Sequence, residues 1–137
     1  MTTIFLRAKK YESLRRFHPW VFSGAIHHIE GDVEEGDLVT VCAADGTFLG
    51  VGHWQVGSIA VRILSFQPRS IDHTFWRERL GEALRVRQSL RLADSQAGTM
   101  YRLVHGEGDG MPGLIIDIYG ATAVMQAHSV GMHVCRM

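Results

Sequence analysis

A glycine-rich segment, rather than any long helix pattern, sets the strongest constraint on how this chain folds. Four glycines and one proline fall between residues 106 and 113, so the backbone there must bend sharply. Apolar stretches flank the bend, Tyr101–His105 before it and Leu114–Tyr119 after it. The second stretch is rich in β-branched residues and stops at Gly120. The sequence therefore predicts two strands joined by a tight loop.

The same glycines also satisfy the spacing G-x-G-x-x-G, which is typical of a dinucleotide-binding loop. Such a loop must open a helix, whose N-terminal amides hold the phosphates. Here it leads into a strand pattern. Glu107 and Asp109 would repel a phosphate, and Pro112 lacks an amide hydrogen to donate. We therefore interpret the segment as a structural hairpin loop, with a ligand cradle as the alternative.

Composition limits the class of protein. The chain has 137 residues, 46% hydrophobic and 20% charged, which is typical of a folded globular protein of one or two small domains. No apolar run approaches the ~20 residues that span a bilayer, and the N-terminal charges follow the apolar residues, the reverse of a signal peptide. Cys42 and Cys135 suggest neither a disulfide framework nor a metal knuckle. A cytoplasmic location is expected.

The formal net charge is zero, but the charges are segregated along the chain. The first basic block contains Arg7, Lys9, Lys10, Arg15 and Arg16. An acidic block follows, with Glu30, Asp32, Glu34, Glu35, Asp37 and Asp45. The second basic block contains Arg69, Arg77, Arg79, Arg85, Arg87 and Arg91. This distribution permits a nucleic-acid-binding face on a neutral protein, although solvated faces with ordinary ion pairs would look the same.

The segment from Arg15 to Gly24 combines basic and aromatic residues. Pro19 favours an extended conformation for the residue before it, and the large flat side chains are Phe17, Trp20 and Phe22. Cationic groups that alternate with aromatic rings can neutralise phosphates and stack an unpaired base. The alternative is that Trp20 and Phe22 anchor the core of a small β-barrel, with only the arginines outside.

Residues 32–66 read as an all-β region. Alternating apolar residues predict strands over 37–43, 47–54 and 59–66, separated by turns at Asp45-Gly46 and Gly57-Ser58. Gly50 and Gly52 inside the second strand indicate a bulge or a close bend. Close spacing of short strands predicts a compact barrel or sandwich of about sixty residues, which ends at Gln67-Pro68.

The rest of the chain predicts one helix and three strands. Ser70 or Asp72 can cap the helix, and residues 94–99 form a polar loop. The third strand covers 121–127. The predicted apolar stripe of the helix contains Trp76, Leu80, Ala83, Leu84 and Leu90, with the arginines mostly on the exposed surface. The last ten residues begin an element and stop, so we expect this second unit to be incomplete.

We find no catalytic or metal-binding pattern. His27 and His28 are adjacent, so they should face opposite ways on a strand, and the sequence has no cluster of histidine, cysteine and carboxylate residues at ligand spacing. Ser23-Gly24 lacks the flanking residues of a hydrolase elbow, and Cys42 lies in an alternating strand typical of core positions. No catalytic residue and no metal ligand is predicted.

Two motifs together resemble a known family. They are Arg16-Phe-His-Pro-Trp-Val-Phe-Ser-Gly-Ala25 and Tyr101-Arg-Leu-Val-His-Gly-Glu-Gly-Asp-Gly-Met-Pro-Gly-Leu-Ile-Ile-Asp117. In this order and separation, they resemble the N-terminal part of bacterial S-adenosylmethionine-dependent methyltransferases that make 5-methylcytosine in 23S ribosomal RNA. The resemblance implies a PUA-like RNA-binding pseudobarrel over residues 1–68 and an incomplete α+β linking domain over 69–137. The expected fold class is therefore mostly β with α+β, and no Rossmann domain is expected within these residues.

The resemblance also implies that the catalytic domain lies beyond this chain. That missing domain would bind S-adenosylmethionine, so we expect no cofactor, no catalytic residue and no activity in the chain alone, whether it was shortened in nature or as a fragment. The expected partner is 23S ribosomal RNA, without a membrane. From charge and expected exposure, the candidate RNA-binding residues are Lys9, Lys10, Arg15, Arg16, His18 and Trp20. The alternative is a structural module that forms homodimers through the exposed edge of its second sheet and does not contact RNA.

Overall fold

The computed structural model describes residues 1–93 and 100–135, which form two compact units. Unit 1 comprises Met1–Arg69 together with the segment that begins at Ser129, and unit 2 comprises Ser70–His128. The predicted polar loop over residues 94–99 lies outside the described residues. In the part of the chain that is described, no helix is both long and apolar enough to cross a bilayer.

Unit 1 is a curled sheet of six short strands. The strands are β1 (Thr3–Leu6), β2 (Trp20–Phe22), β3 (Ile26–Glu30), β4 (Leu38–Cys42), β5 (Phe48–Trp54) and β6 (Ile59–Ser65). Their order across the sheet is β2-β6-β5-β4-β1-β3. All neighbours are antiparallel except β1 and β4, which run parallel. A four-residue helix, α1 (Glu12–Arg15), lies between β1 and β2.

The curl of this sheet depends on a close approach between β5 and β6. The register slips at Val51/Gly52, which is a β-bulge of the kind that the two strand glycines predict. A Cβ atom at position 52 would overlap the backbone of Arg62 and Ile63, so only glycine fits. The strands bend here over an apolar core. The core members with 0% exposure are Ile4, Leu6, Val39, Val41 and Val61.

The C-terminal helix α3 (Val130–Cys135) packs on β5 and belongs to unit 1. Its Gly131 lies so close to His53 of β5 that any side chain at 131 would overlap the imidazole. Its Val134 contacts Gly36 in the loop before β4. The sequence predicts that residues 129–137 belong to the second domain, whereas contacts group the described part of this segment with unit 1. A helix this short is stable only through its tertiary contacts, so the local sequence pattern does not reveal which unit it joins.

Unit 2 places one helix beside a three-stranded antiparallel sheet. Its elements are α2 (His73–Ser89), β7 (Met100–His105), β8 (Leu114–Tyr119) and β9 (Thr122–Ala127), in the sheet order β7-β8-β9. Asp72, one of the two predicted caps, accepts a hydrogen bond from the amide of Phe75 at 3.0 Å and begins α2. The buried face of α2 centres on Phe75 and Ala83.

The fold class predicted from the sequence is confirmed, since the chain is mostly β with few helices. The glycine-rich segment does join two strands, β7 and β8, through a short 3₁₀ turn over Gly106–Asp109. The described residues contain no Rossmann arrangement. The predicted helix stripe was wrong at one end, because Leu90 follows α2 with its side chain 64% exposed, whereas Phe75, which the stripe omitted, is fully buried.

Candidate nucleic-acid interface

The candidate interface is the connection between β1 and β2, residues 7–19, which carries most of the predicted RNA-binding residues. Leu14 of α1 is 3% exposed and inserts into the core of unit 1, and Tyr11 packs half-buried against the same core. These two side chains fix the short helix, which is too short to be stable alone. The remaining side chains of α1 and its flanks consequently point to solvent.

All four predicted cations of this connection are exposed: Lys9, Lys10, Arg15 and Arg16. The Arg15 guanidinium lies over the Tyr11 ring at 4.6 Å from its centroid, a cation–π contact that orients the charge. Because exposed cations gain little from isolated surface contacts, they remain available for phosphates.

Besides Glu12 of α1 itself, one carboxylate from another element lies within electrostatic reach of this cluster. The pKa of Asp45, in the β4–β5 turn, is lowered mainly by hydrogen bonds from Thr47, and the charge of Arg15 contributes further. The Asp45 side chain is therefore a local competitor for Arg15, and its negative charge would weaken a phosphate contact nearby.

The end of α1 has a defined capping geometry. The amide of Phe17 donates to the Leu14 carbonyl at 3.0 Å, and the amide of His18 donates to the Ser13 carbonyl at 2.9 Å. Together these bonds make a Schellman motif in which Arg16 is the C-cap and Phe17 is the next residue. Phe17 accordingly has a left-handed backbone, with φ of 63°. Lys9, before the helix, is also left-handed, with φ of 66°.

His18 and Trp20 are in contact with each other. The amide of Trp20 donates to His18 Nδ1 at 3.2 Å, so the neutral imidazole carries its proton on Nε2. The two rings meet edge to face, 5.5 Å between centroids. His18 is exposed but Trp20 is only half-exposed, and within the described residues its buried indole Nε1 has no hydrogen-bond partner. Of the two, His18 is the more accessible to a ligand.

The other two aromatic residues of this segment are more exposed than Trp20. Phe17 is 71% exposed and Phe22 is 49% exposed. The interpretation of Phe22 as a core anchor was therefore wrong, because β2 is an edge strand and Phe22 follows the buried Val21 onto the other face. Phe17 was left out of the candidate residues, although its place between Arg16 and His18 was visible in the sequence.

The second basic block is only partly available as a surface. Arg87 forms a bidentate ion pair with Asp109 of the glycine-rich loop, and Arg79 Nη1 donates to the Gly110 carbonyl at 3.4 Å. Both arginines therefore hold the loop to α2, and the prediction that they lie on a basic surface was wrong for them. Arg77 and Arg85 do lie exposed on α2.

Several amides of the glycine-rich loop are bonded within the loop itself. The amides of Gly110, Met111 and Leu114 donate to carbonyls of the loop itself. The carboxylate of Asp109 accepts from the amide of His105 at 2.7 Å. Since these donors are already engaged within the turn, the geometry agrees with a connecting loop rather than an anion site.

The predicted orientation of His27 and His28 was wrong. His27 and His28 do not face opposite ways, since their Nδ1 atoms lie 2.7 Å apart. The pairing of β1 with β3 skips His27, and this bulge turns both rings to one side.

Within residues 1–93 and 100–135 no cluster of three metal-ligating side chains is found. Burial raises the pKa of both Cys42 and Cys135, which disfavours a reactive thiolate.

The chain is similar in sequence to known proteins. The PUA-like domain family matches residues 4–66. Proteins called ribosomal RNA large subunit methyltransferase I are similar to nearly the whole chain: that of Erwinia tasmaniensis is 42% identical over 96% of this chain, and that of Shewanella amazonensis is 41% identical over 93%. These alignments cover 33% and 32% of the two relatives, so the chain spans about a third of their length.

Solved structures show the same fold. One, "a putative sam-dependent methyltransferase from Streptococcus mutans", superposes with a TM-score of 0.82 over 99% of this chain and 35% of that chain, at 19% identity. A second, "a putative methyltransferase complexed with SAH", gives the same TM-score and identity. The match to the PUA-like domain family covers the curled sheet of unit 1, the region for which the sequence predicts such a pseudobarrel.

Proposed function

We propose that this chain is the RNA-binding N-terminal portion of an S-adenosylmethionine-dependent methyltransferase that makes 5-methylcytosine in 23S ribosomal RNA. Its PUA-like unit positions the RNA through Lys9, Lys10, Arg15, Arg16, His18 and Trp20. The proposed domain division is a PUA-like domain over 1–68 and a linking domain over 69–137, with α3 packed back onto the first. The proposed location is the cytoplasm.

The observation that carries this proposal is the exposed cationic connection on the PUA-like sheet. Four cations surround a short helix that Leu14 anchors in the core, so the charges are held by a rigid support. Phosphate contacts supply most of the affinity of such a face, and neighbouring rings add base contacts. The relatives named for ribosomal RNA methylation support RNA as the ligand.

S-adenosylmethionine binding and methyl transfer are not proposed for this chain. The chain corresponds to about a third of its methyltransferase relatives, so the binding of S-adenosylmethionine and the methyl transfer are assigned to the part of those proteins that it does not cover. None of the residues described here is given a catalytic role. Calorimetry of the chain with S-adenosylmethionine should accordingly give no heat of binding.

The test is the binding of 23S ribosomal RNA fragments, measured by fluorescence anisotropy. The double variant Arg15→Ala plus Arg16→Ala should bind at least about tenfold more weakly, because two phosphate contacts are lost. A matched control removes two exposed arginines of unit 2, Arg77→Ala plus Arg85→Ala. Equal binding by the wild type and the first double variant would remove these residues from the interface.

A second candidate function is a dimerisation module without direct RNA contact. It is favoured by β9, an edge strand whose residues are exposed on both faces from Thr122 to Gln126 and include Val124 and Met125. Unpaired edges of this kind pair readily with another chain. Light scattering coupled to size exclusion distinguishes the two functions: a stable dimer that does not bind RNA would favour this one.

A further inference from the structure

The ring of Phe17 occupies a position that ordinary folding requirements do not explain. At 71% it is the most exposed aromatic side chain among the described large hydrophobic residues, followed by Phe22 and Tyr119 at 49% each. A ring this exposed contributes little to the core. Single exposed apolar residues are common on proteins, so exposure alone does not assign a role.

Phe17 stands where the Schellman motif at the end of α1 places a left-handed residue, a position that glycine usually fills. The chain follows that rule elsewhere: eight of its described left-handed residues are glycines, and the three exceptions are Lys9, Phe17 and Arg91. A bulky residue with positive φ is strained. Phenylalanine here therefore lowers stability relative to glycine, and strain of this kind is found most often at binding sites.

The ring is held in place rather than loose. It meets Phe66 edge to face, with 5.3 Å between the ring centroids and 82° between the ring planes. Phe66 in turn packs against the core of unit 1. One aromatic contact therefore fixes the orientation of Phe17 while most of its surface stays open to solvent, which is the arrangement that a stacking platform requires.

The charges beside Phe17 indicate what would cover it. Its chain neighbours Arg16 and His18 are both exposed, and so is Arg15, which precedes Arg16. A purely apolar partner would leave these cations without compensation. An unpaired nucleobase brings a flat face for the ring and flanking phosphates for the cations. Trp20 fits this role less well, because its ring is half-buried between His18 and Phe22.

We propose that Phe17 is the platform on which an unpaired base of the bound RNA stacks, so that this face selects single-stranded or looped RNA over duplex. This inference rests on the proposed RNA-binding function and specifies its substrate: the cations hold the backbone, and Phe17 requires that a base be splayed out. Duplex RNA keeps its bases stacked internally and cannot offer one.

The test compares an unstructured RNA of about 12 nucleotides with the duplex of the same sequence, by fluorescence anisotropy on the whole chain. Phe17→Leu keeps an apolar side chain against Phe66 but has no aromatic face. It should bind the single strand at least about fivefold more weakly and the duplex unchanged. Phe17→Trp should bind as well as the wild type. Val56→Ala is the matched control, since Val56 is 69% exposed and lies beside Glu35.

The outcomes separate this inference from the function on which it rests. If the wild type binds RNA and Phe17→Leu binds the single strand equally well, the stacking role is overturned and the proposed function stands. If Phe17→Leu loses single strand and duplex to the same extent, the ring supports the fold of the loop and the stacking role is again overturned. If the wild type binds neither RNA, the proposed function fails and the inference with it.

Discussion

Arg87 and Asp109 form a nearly buried bidentate ion pair that joins α2 to the glycine-rich loop. Arg87 Nη1 lies 2.5 Å from Asp109 Oδ1 and Nη2 lies 2.8 Å from Oδ2, with side chains 12% and 10% exposed. Arg87 Nε also donates to the carbonyl of Arg102 on β7, and Asp109 accepts from the amide of His105. The loop is thus held by charge and hydrogen bonds where it has few apolar side chains to bury.

Replacing one partner of this pair should destabilise unit 2. Asp109→Asn removes the charge but keeps the shape, leaving Arg87 buried without its counter-ion, and the expected loss is roughly 3 kcal/mol. Hydrogen exchange of the β7 and β8 amides should report it. The pair Arg102–Asp117, with side chains 45% and 14% exposed, is the matched control. Because its arginine stays in water, Asp117→Asn should change stability by less than about 1 kcal/mol.

The same pair makes the stability of unit 2 sensitive to strong acid. Burial alone would raise the pKa of Asp109, but the Arg87 hydrogen bond, the His105 amide and the Arg87 charge together lower it. The stabilisation is complete above the unfolded-state pKa of about 4 and is lost as pH falls through the lower folded-state value. Equal acid sensitivity of the wild type and Asp109→Asn would contradict this account.

His53 should make unit 1 less stable in weak acid. Burial lowers its pKa from 6.5 to about 4, so between these values the unfolded chain binds a proton that the folded chain does not. The stability is present above pH 6.5 and is lost as pH falls towards 4. Between pH 7 and pH 4.5 the wild type should lose roughly 2–3 kcal/mol more than His53→Gln, measured by urea unfolding. Parallel pH profiles for both proteins would refute this role.

Gly131 should be essential for the packing of α3 on β5. A methyl group there would overlap the imidazole of His53, so Gly131→Ala must displace the helix or the ring, with an expected loss of about 1–3 kcal/mol in unit 1. Gly24→Ala is the matched control, because a Cβ at position 24 meets no atom within 4 Å. If both variants unfold at the same urea concentration, the close approach of Gly131 to His53 is not important for stability.

The parts of the fold that follow from local signals were predictable. Alternating side chains identified β4, β5 and β6, the Asp45-Gly46 pair identified a turn, and Asp72 was one of two proposed caps for α2. In each case the cause lies within a few residues of the effect. The glycine-rich segment was interpreted as a strand connection on the same basis, because β-branched residues follow it.

The incorrect sequence predictions concern residues whose contacts come from distant parts of the chain. Arg79 and Arg87 resemble surface cations until the loop, more than twenty residues later, packs against them. His27 and His28 share a side only because β3 bulges against β1. Phe17 was missed as a site residue because no local rule predicts that a left-handed capping position will hold a phenylalanine. Tertiary packing decides all of these cases.

The measurement that tests the central claim most directly is the salt dependence of RNA binding. If the connection between β1 and β2 contacts phosphates, the logarithm of the association constant should fall linearly with the logarithm of salt concentration. For a single-stranded fragment, Arg15→Ala plus Arg16→Ala should reduce the magnitude of that slope by about 1.4, which corresponds to two lost phosphate contacts. The Arg77→Ala plus Arg85→Ala control should keep the wild-type slope. An unchanged slope in the Arg15, Arg16 variant would contradict the claim that this face binds RNA.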